Sequence, residues 1–542
     1  MKVLAAVFIS VLFCSSCVGQ EAITQKQLAK LDSIAAQDVP ENAPGIATAI
    51  IKDGNVLYKK YAGLANLDDS TRIKGSSRFN IASNGKQFTA LAILKLIDEG
   101  KLNLSDDIRK WFPKLYTDKE KITVANLLNH TSGLRDCYDL WSLQGITWWE
   151  KSFDNRDVLE LIMKQSGLNF EPGSQYLYSN TNYILLALIT EKASGKSFIA
   201  YTNDIFGQLN MPNTSFEDNY TKIRGEIARS YFNFGSWTTY DWIWNVVGDG
   251  NIFSTLEDQI QWEKLVQGEG KTTFNRKIIA RSQQLIEGSG IDNYGYGLEF
   301  DQYRGIHYKF HEGATGAWKA TVLRFPEENV SFVTLTNSGK AIPYNQTRQM
   351  ADVFFNLNSA QAPYLTKPAE VGEYISENEL IGTYLTESDF AFTFEMRSGK
   401  VFLKRVGRSD VELEREADNI FRQKFDPEFK QEFTKNTEGK MQVKVYYPTH
   451  APYSLTKVRL PEKSFNYKSL EGDYFNEETS TSVSVKHLTG ANYKISFRAN
   501  YHTTGLLVSE NKMLVDFYNL EFADDSFLLN GERIKRVKFR KN

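Results

Sequence analysis

Cysteine is scarce in this chain: three in 542 residues, at positions 14, 17 and 137. The first two form a C-x-x-C inside an N-terminal leader, so once the leader is removed Cys137 stands alone and no intramolecular disulfide can hold the fold. The same setting removes a redox or zinc reading of that pair. The six histidines, at 130, 307, 311, 450, 487 and 502, show no H-E-x-x-H spacing and no cysteine partners, so the sequence supports no metal site and implies no cofactor. Excess charge of either sign is also missing. With 64 Lys+Arg against 66 Asp+Glu the net charge is −2, which leaves no bulk positive field for a phosphate backbone and argues against a nucleic-acid partner. Beyond the leader, no segment reaches the roughly 18 uninterrupted apolar residues of a membrane-spanning helix. Gly268-Glu269-Gly270-Lys271-Thr272 resembles the end of a phosphate-binding loop, but Leu265 sits where the first glycine is required and no clear strand precedes it.

What is present is the composition of a folded soluble protein: 41% hydrophobic, 24% charged and 13% aromatic residues. At roughly 100 to 200 residues per domain, the length predicts two to four domains. Lys2, the apolar run Val3 to Phe13 and the small residues after it have the layout of a secretory signal peptide over 1–19, with cleavage after Gly19. The alternative is a lipoprotein. Ser15-Ser16-Cys17 looks like the end of a lipobox, with a lipid anchor through Cys17, although Cys14 stands where that motif carries Leu. Either way the protein is expected to be exported: periplasmic or secreted, or lipid-anchored in the cell envelope.

The body divides by pattern. Residues 24–37 read as a helix, Ile46 to Ile51 and Val56 to Tyr61 as strands joined at Asp53-Gly54, and 86–99 as a helix stopped by Gly100. Helical or irregular segments follow to about 285, strand patterns return at 317–324 and 330–336, and a helix follows near 345–356. The expected fold class is α+β: an antiparallel sheet built from both ends of residues 20–357, flanked by helices, with a helical lobe inserted. Pro363 and Pro368 mark a linker over 358–378, after which the chain is β-rich. Leu380-Ile381-Gly382-Thr383-Tyr384 recurs as Leu470-Glu471-Gly472-Asp473-Tyr474, which predicts two antiparallel barrel-like modules, 379–462 and 463–542. A single twisted sheet is the alternative.

Three short motifs carry chemistry. Ser83 and Lys86, three apart at a helix start, lie on one face within reach of each other. A partly desolvated lysine can take the serine proton, and free amides at the helix start can hold an oxyanion. On its own the pair is weak, since on the order of two Ser-x-x-Lys matches arise by chance in such a chain. Tyr178-Ser179-Asn180 sits in a turn before a helix, where a phenol can carry a proton and an amide can position a substrate. His311-Glu312-Gly313-Ala314 precedes the strand beginning at Ala317, so its backbone is expected along a sheet edge. There Gly313 permits close approach of a ligand, and the Ala314 amide can serve as a second oxyanion donor.

In that order, Ser83-x-x-Lys86, Tyr178-x-Asn180 and His311-x-Gly313 resemble the three motifs of class C β-lactamases and the related penicillin-binding proteins, D-aminopeptidases, D-Ala-D-Ala carboxypeptidases and esterases. The surrounding text resembles that family as well, in FNIASNGKQFTALAILKLIDEGKLNLSDDI, ITVANLLNHTSGL, YLYSNTNYILLALI, VVGDGNIFSTLEDQIQW and HEGATGAW, covering about 24–356. The resemblance implies a β-lactamase/transpeptidase-like fold with Ser83 as the acylated nucleophile, Lys86 as base and Tyr178 as proton shuttle. It makes Asn180 and His311 substrate-positioning groups, and implies lipocalin-like barrels at the C-terminus bordering the cleft. The substrate it implies is a small molecule or peptide: an ester, a D-amino-acid peptide or amide, or a cell-wall peptide.

Two departures bear on specificity. His311-Glu312-Gly313 replaces the usual Lys-Thr-Gly, removing the cation and hydroxyl that grip a penicillin carboxylate. Asn84-Gly85 is unusual inside the first motif, and Gly85 is expected to loosen the first helical turn. These departures motivate the alternative of a β-lactam-binding or ligand-sensing protein with little turnover. The aromatic runs 138–149 and 231–244 read either as core or as an apolar substrate wall. His130 looks structural.

Overall fold

The computed structural model describes residues 23–147, 149–357, 374–386, 390–404, 410–424, 429–447, 452–462, 464–498 and 501–542. The leader over 1–19, with Cys14 and Cys17, lies outside the described residues, as does most of the linker over 358–378.

Helix α1 (Gln25–Ala36) begins at Thr24, whose hydroxyl accepts from Gln27 N while the Gln27 side chain reaches back to the cap backbone. Strands β1 (Ile46–Lys52) and β2 (Asn55–Ala62) follow, and the turn between them has positive φ at both Asp53 (50°) and Gly54 (73°). Helix α2 (Lys86–Asp98) is buried on nearly every side, with ten of its thirteen residues in the interior. The lobe after it contains α3 (Cys137–Gln144) and α4 (Asn180–Ser194), both ended by a glycine in the left-handed conformation. The chain then returns to the sheet through β3 (Glu299–Tyr303), β4 (Ile306–Thr315), β5 (Trp318–Phe325) and β6 (Val330–Thr336), and α5 (Pro343–Phe355) closes the domain.

The sheet order is β3-β4-β5-β6-β1-β2, antiparallel throughout, so the two ends of the domain meet where β6 pairs with β1. Helices α1 and α5 cover one face, with Leu31, Phe332 and Met350 in the interface. Helix α2 and the lobe cover the other. One element differs from expectation. His311 to Ala314 do precede the strand Trp318–Phe325, but they are themselves the second half of a strand, β4, whose apolar–polar alternation from Ile306 to His311 gives out at Glu312-Gly313-Ala314. Strand β3 pairs only with Ile306 to Phe310, so among the described residues no strand pairs with 311–315 on the outer side. That stretch is the sheet edge.

Residues after 380 form two closed eight-stranded antiparallel barrels, one from Gly382–Leu385 to Tyr453–Lys457, the other from Gly472–Asn476 to Val537–Lys541. Closure joins the last strand to the first and removes the edges a single twisted sheet would leave. The repeated Leu-x-Gly-x-Tyr has the same use in both. The hydroxyl of Tyr384 donates to Leu380 O (2.8 Å), and that of Tyr474 to Leu470 O (3.1 Å). The first barrel has a core of its own, whereas that of the second belongs to the apolar cluster of the main domain.

Candidate active site

Ser83 lies in a 3-10 turn, Ala82–Gly85, that runs straight into α2 at Lys86. The turn is strained, because Ala82 has φ of 48°, where a side chain costs on the order of 1–3 kcal/mol. Neighbours hold it in place. Ala82 N donates to Asn80 Oδ1 (3.0 Å), Ile81 N to Ile252 O (2.9 Å), and Asn84 Nδ2 to Ala320 O on β5 (3.1 Å). Gly85, expected to loosen this turn, instead lets it pack: a Cβ there would stand 2.4 Å from Ile252 Cγ2.

Lys86 is fully buried and its Nζ makes three polar contacts, to Ser83 Oγ (3.1 Å), Asn180 Oδ1 (2.8 Å) and Asp249 O (2.7 Å). Burial depresses its pKa from the ordinary lysine value to about 8, against the pull of Asp249 and Asp136. Two of the three partners are oxygens that only accept. A neutral amine has two hydrogens, so donation to Asn180 and Asp249 turns its lone pair toward the Ser83 hydroxyl.

Asn180 is itself oriented. At the start of α4, its backbone N and its Nδ2 both donate to Asp136 Oδ2 (2.6 and 2.9 Å), which leaves Oδ1 for Lys86. Asp136 caps α3, its Oδ1 accepting from the amides of Tyr138 and Asp139. Asp249 accepts from the Tyr138 hydroxyl at Oδ2 (2.8 Å), while its buried Oδ1 has no partner among the described residues. Burial raises the pKa of that carboxyl.

Tyr178 places its ring 4.8 Å from Lys86 Nζ, with Ser83 as the hydrogen-bonding neighbour of its phenol. Burial raises that phenol well above the ordinary value, so it is neutral. His130 lies under it, ring centroids 4.3 Å apart. Its Nδ1 accepts from Ser179 N (3.2 Å) and faces Asn182 Nδ2 (3.1 Å), and burial holds the imidazole neutral. The ring supports Tyr178 and does not reach the pocket.

Strand β4 forms the opposite wall. A Cβ on Gly313 would stand 2.2 Å from Ile81 O and 3.0 Å from Ser83 N, so the glycine lets strand and nucleophile turn touch. Ala314 and Thr315 line the pocket. His311 is buried behind them: its Nδ1 donates to Glu312 O (2.7 Å), which makes Nε2 the acceptor for the Tyr294 hydroxyl (3.1 Å). Burial and Lys86 lower its pKa to about 3, so it carries no charge at neutral pH.

Ser83, Tyr178, Asn180 and Ala314 thus border one open pocket of about 490 Å³. The aromatic runs divide between the two expectations. Trp141 and Trp244 are buried in the core and also line the pocket, and half-exposed Trp149 lines it too. Asp136, Asp249 and Arg533 escaped the sequence reading, and Tyr138 entered it only as part of an aromatic run. Asp249 had a usable signal in Gly248-Asp249-Gly250, where a positive φ of 105° at Gly248 packs the loop on α4.

Comparison with known proteins agrees with this architecture. The family model for Beta-lactamase matches residues 31–355. Protein flp of Staphylococcus aureus (strain MRSA252) is 28% identical over 401 residues, covering 71% of this chain and 78% of that protein. Penicillin-binding protein 4* of Bacillus subtilis (strain 168) is 28% identical over 320 residues, 54% of this chain and 68% of its own length. In three dimensions the octameric penicillin-binding protein homologue from Pyrococcus abyssi superposes with a TM-score of 0.55 at 23% identity, covering 79% of this chain and all of that one. The chain belongs to the Beta-lactamase family of serine hydrolase folds.

Proposed function

We propose that the protein is an exported serine hydrolase that forms an acyl-enzyme on Ser83 and acts on a small ester, a D-amino-acid peptide or amide, or a cell-wall peptide. The observation that carries this reading is the pair of fixed acceptors on Lys86, which aim its lone pair at Ser83. Neutral Lys86 takes the Ser83 proton as Oγ bonds to the substrate carbonyl carbon. The oxyanion sits against the amides of Ser83 and Ala314. Tyr178, a neutral phenol beside Lys86, passes the proton to the leaving alkoxide or amine as its bond to carbon breaks. Water then attacks the ester on Ser83, giving its proton back through the same groups and releasing the acid.

Asn180 contributes its remaining amide hydrogen to the substrate, and His311 acts by holding the wall that Ala314 lines. The absence of charge on His311 favours esters and small amides over penicillins, whose carboxylate needs a cation on this wall. Export rests on the leader read from the sequence, whether cleaved after Gly19 or acylated at Cys17. Turnover of a panel of short-chain esters and D-aminoacyl anilides by wild type and Ser83→Ala tests the reading. Hydrolysis that survives in Ser83→Ala contradicts it.

A further inference from the structure

The second barrel reaches the pocket through one turn. Strands Ser526–Asn530 and Val537–Lys541 are joined by residues 531–536, and Arg533 in that turn lines the same pocket as Ser83. The turn is held from both sides. Asp136 N and Asn169 Nδ2 donate to Arg533 O (3.2 and 3.1 Å), Lys535 N donates to Asn169 Oδ1 (2.6 Å), and the Arg135 guanidinium donates to the carbonyls of Lys535 and Arg536. Farther out, Glu478 of the barrel pairs with buried Arg135 at 2.7 Å and accepts from Ser166 N (3.1 Å). With a shared apolar core, this network fixes the barrel on the lobe.

Arg533 Nη2 stands 2.6 Å from Asp139 Oδ1 and 3.6 Å from Asp136 Oδ1. Asp136 therefore links two cations. One oxygen faces Arg533, and the other takes both N–H groups of Asn180, whose Oδ1 receives Lys86. A fully buried carboxylate without a counter-charge is costly, and Arg533 supplies that charge.

We propose that Arg533, delivered by the second barrel, is a positioning residue of the active site, acting through Asp136 and Asn180 on the proton and orientation of Lys86. The proposal rests on the hydrolase reading above. Around the Lys86 ammonium, Asp249 and Asp136 favour its charge, Arg533 opposes it, and the Cys137 thiol stands nearby. The phenols of Tyr178 and Tyr183, the neutral imidazoles of His130 and His311, and half-buried Glu299 complete its titratable surroundings. Without Arg533, the only cation left on the Asp136–Asn180 chain is Lys86, and the lysine keeps its proton to higher pH.

The test is the rate at which a fluorophosphonate labels Ser83 in the full chain, followed by intact mass across pH. Labelling forms the Oγ–phosphorus bond, expels fluoride and needs no turnover. Arg533→Ala is expected to move the acidic limb upward by on the order of one pH unit, about a tenfold loss of rate at neutral pH. Arg533→Lys, which keeps the charge, returns the limb toward wild type. Glu478→Gln weakens docking and lowers the melting temperature without moving the limb. Folded Arg533→Ala with a wild-type limb overturns the proposal, as does a Glu478→Gln limb that moves equally far. Should Arg533→Ala fail to fold, Arg533→Gln, which keeps a donor for Asp139, carries the same test. Unlabelled wild type sinks the hydrolase reading and the proposal together, whereas normal labelling with an unmoved limb sinks the proposal alone.

Discussion

Lys86 Nζ stands 3.1 Å from Ser83 Oγ, and its other two polar contacts are carbonyl oxygens that cannot donate. The pair is a base aimed at a nucleophile only while Asn180 and Asp249 hold the amine hydrogens. That condition ties the reaction to groups on three segments of the chain and makes each of them open to test.

The lysine predicts the pH profile. Its value is depressed to about 8, so below that pH the ammonium dominates and has no lone pair for the Ser83 proton. The second-order rate constant kcat/KM should climb about tenfold per pH unit up to that point and level off above it. The neutral Tyr178 phenol, raised well above its ordinary value, adds no falling limb in that range. A flat profile between about pH 6 and 9 would contradict the assignment of Lys86 as base.

Gly313 predicts a steric failure. Alanine there would place Cβ 2.2 Å from Ile81 O, pushing β4 off the nucleophile turn. Gly313→Ala should lose about 1–3 kcal/mol of stability in a denaturant melt and most of its turnover. Unchanged kinetics would show that strand and turn need not touch.

Gly85 predicts a rescue. Gly85→Ala drives a methyl toward Ile252 Cγ2, and Ile252→Ala removes the obstacle. The double variant should recover activity lost in Gly85→Ala, measured as a coupling energy in a double-mutant cycle. Additive losses would mean that backbone freedom, rather than packing, is what the glycine supplies.

Much of this was legible in the sequence because it is local. Ser83 and Lys86 are three residues apart, Asp53-Gly54 marks its own turn, and the repeated Leu-x-Gly-x-Tyr announces each barrel by a tyrosine that bonds four residues back. The functional half of β4 has no strand pattern because both its faces are occupied, one by α5 through the Arg348–Glu312 pair and the other by the nucleophile turn at Gly313, so the alternation that runs from Ile306 to His311 stops there. Asp136 and Arg533 were invisible for another reason. They lie 397 positions apart in the numbering and meet only after the second barrel docks, a contact that no local pattern encodes.

The repeat makes a further prediction. Tyr474→Phe removes the bond to Leu470 O, and Tyr384→Phe the bond to Leu380 O. Each should cost about 1 kcal/mol in a melt. Only the change in the second barrel should alter the lobe, read as faster proteolysis around Arg135 and Asn169, because the first barrel has a separate core.

The most direct measurement is the intact mass of the protein through a time course with a chromogenic short-chain acyl ester, with Ser83→Ala in parallel. A mass increase equal to the acyl group should appear on wild type, clear as product accumulates, and never form on Ser83→Ala. Product released equally by both proteins, or neither adduct nor product in the wild type across esters and D-aminoacyl amides, would contradict the acyl-enzyme reading.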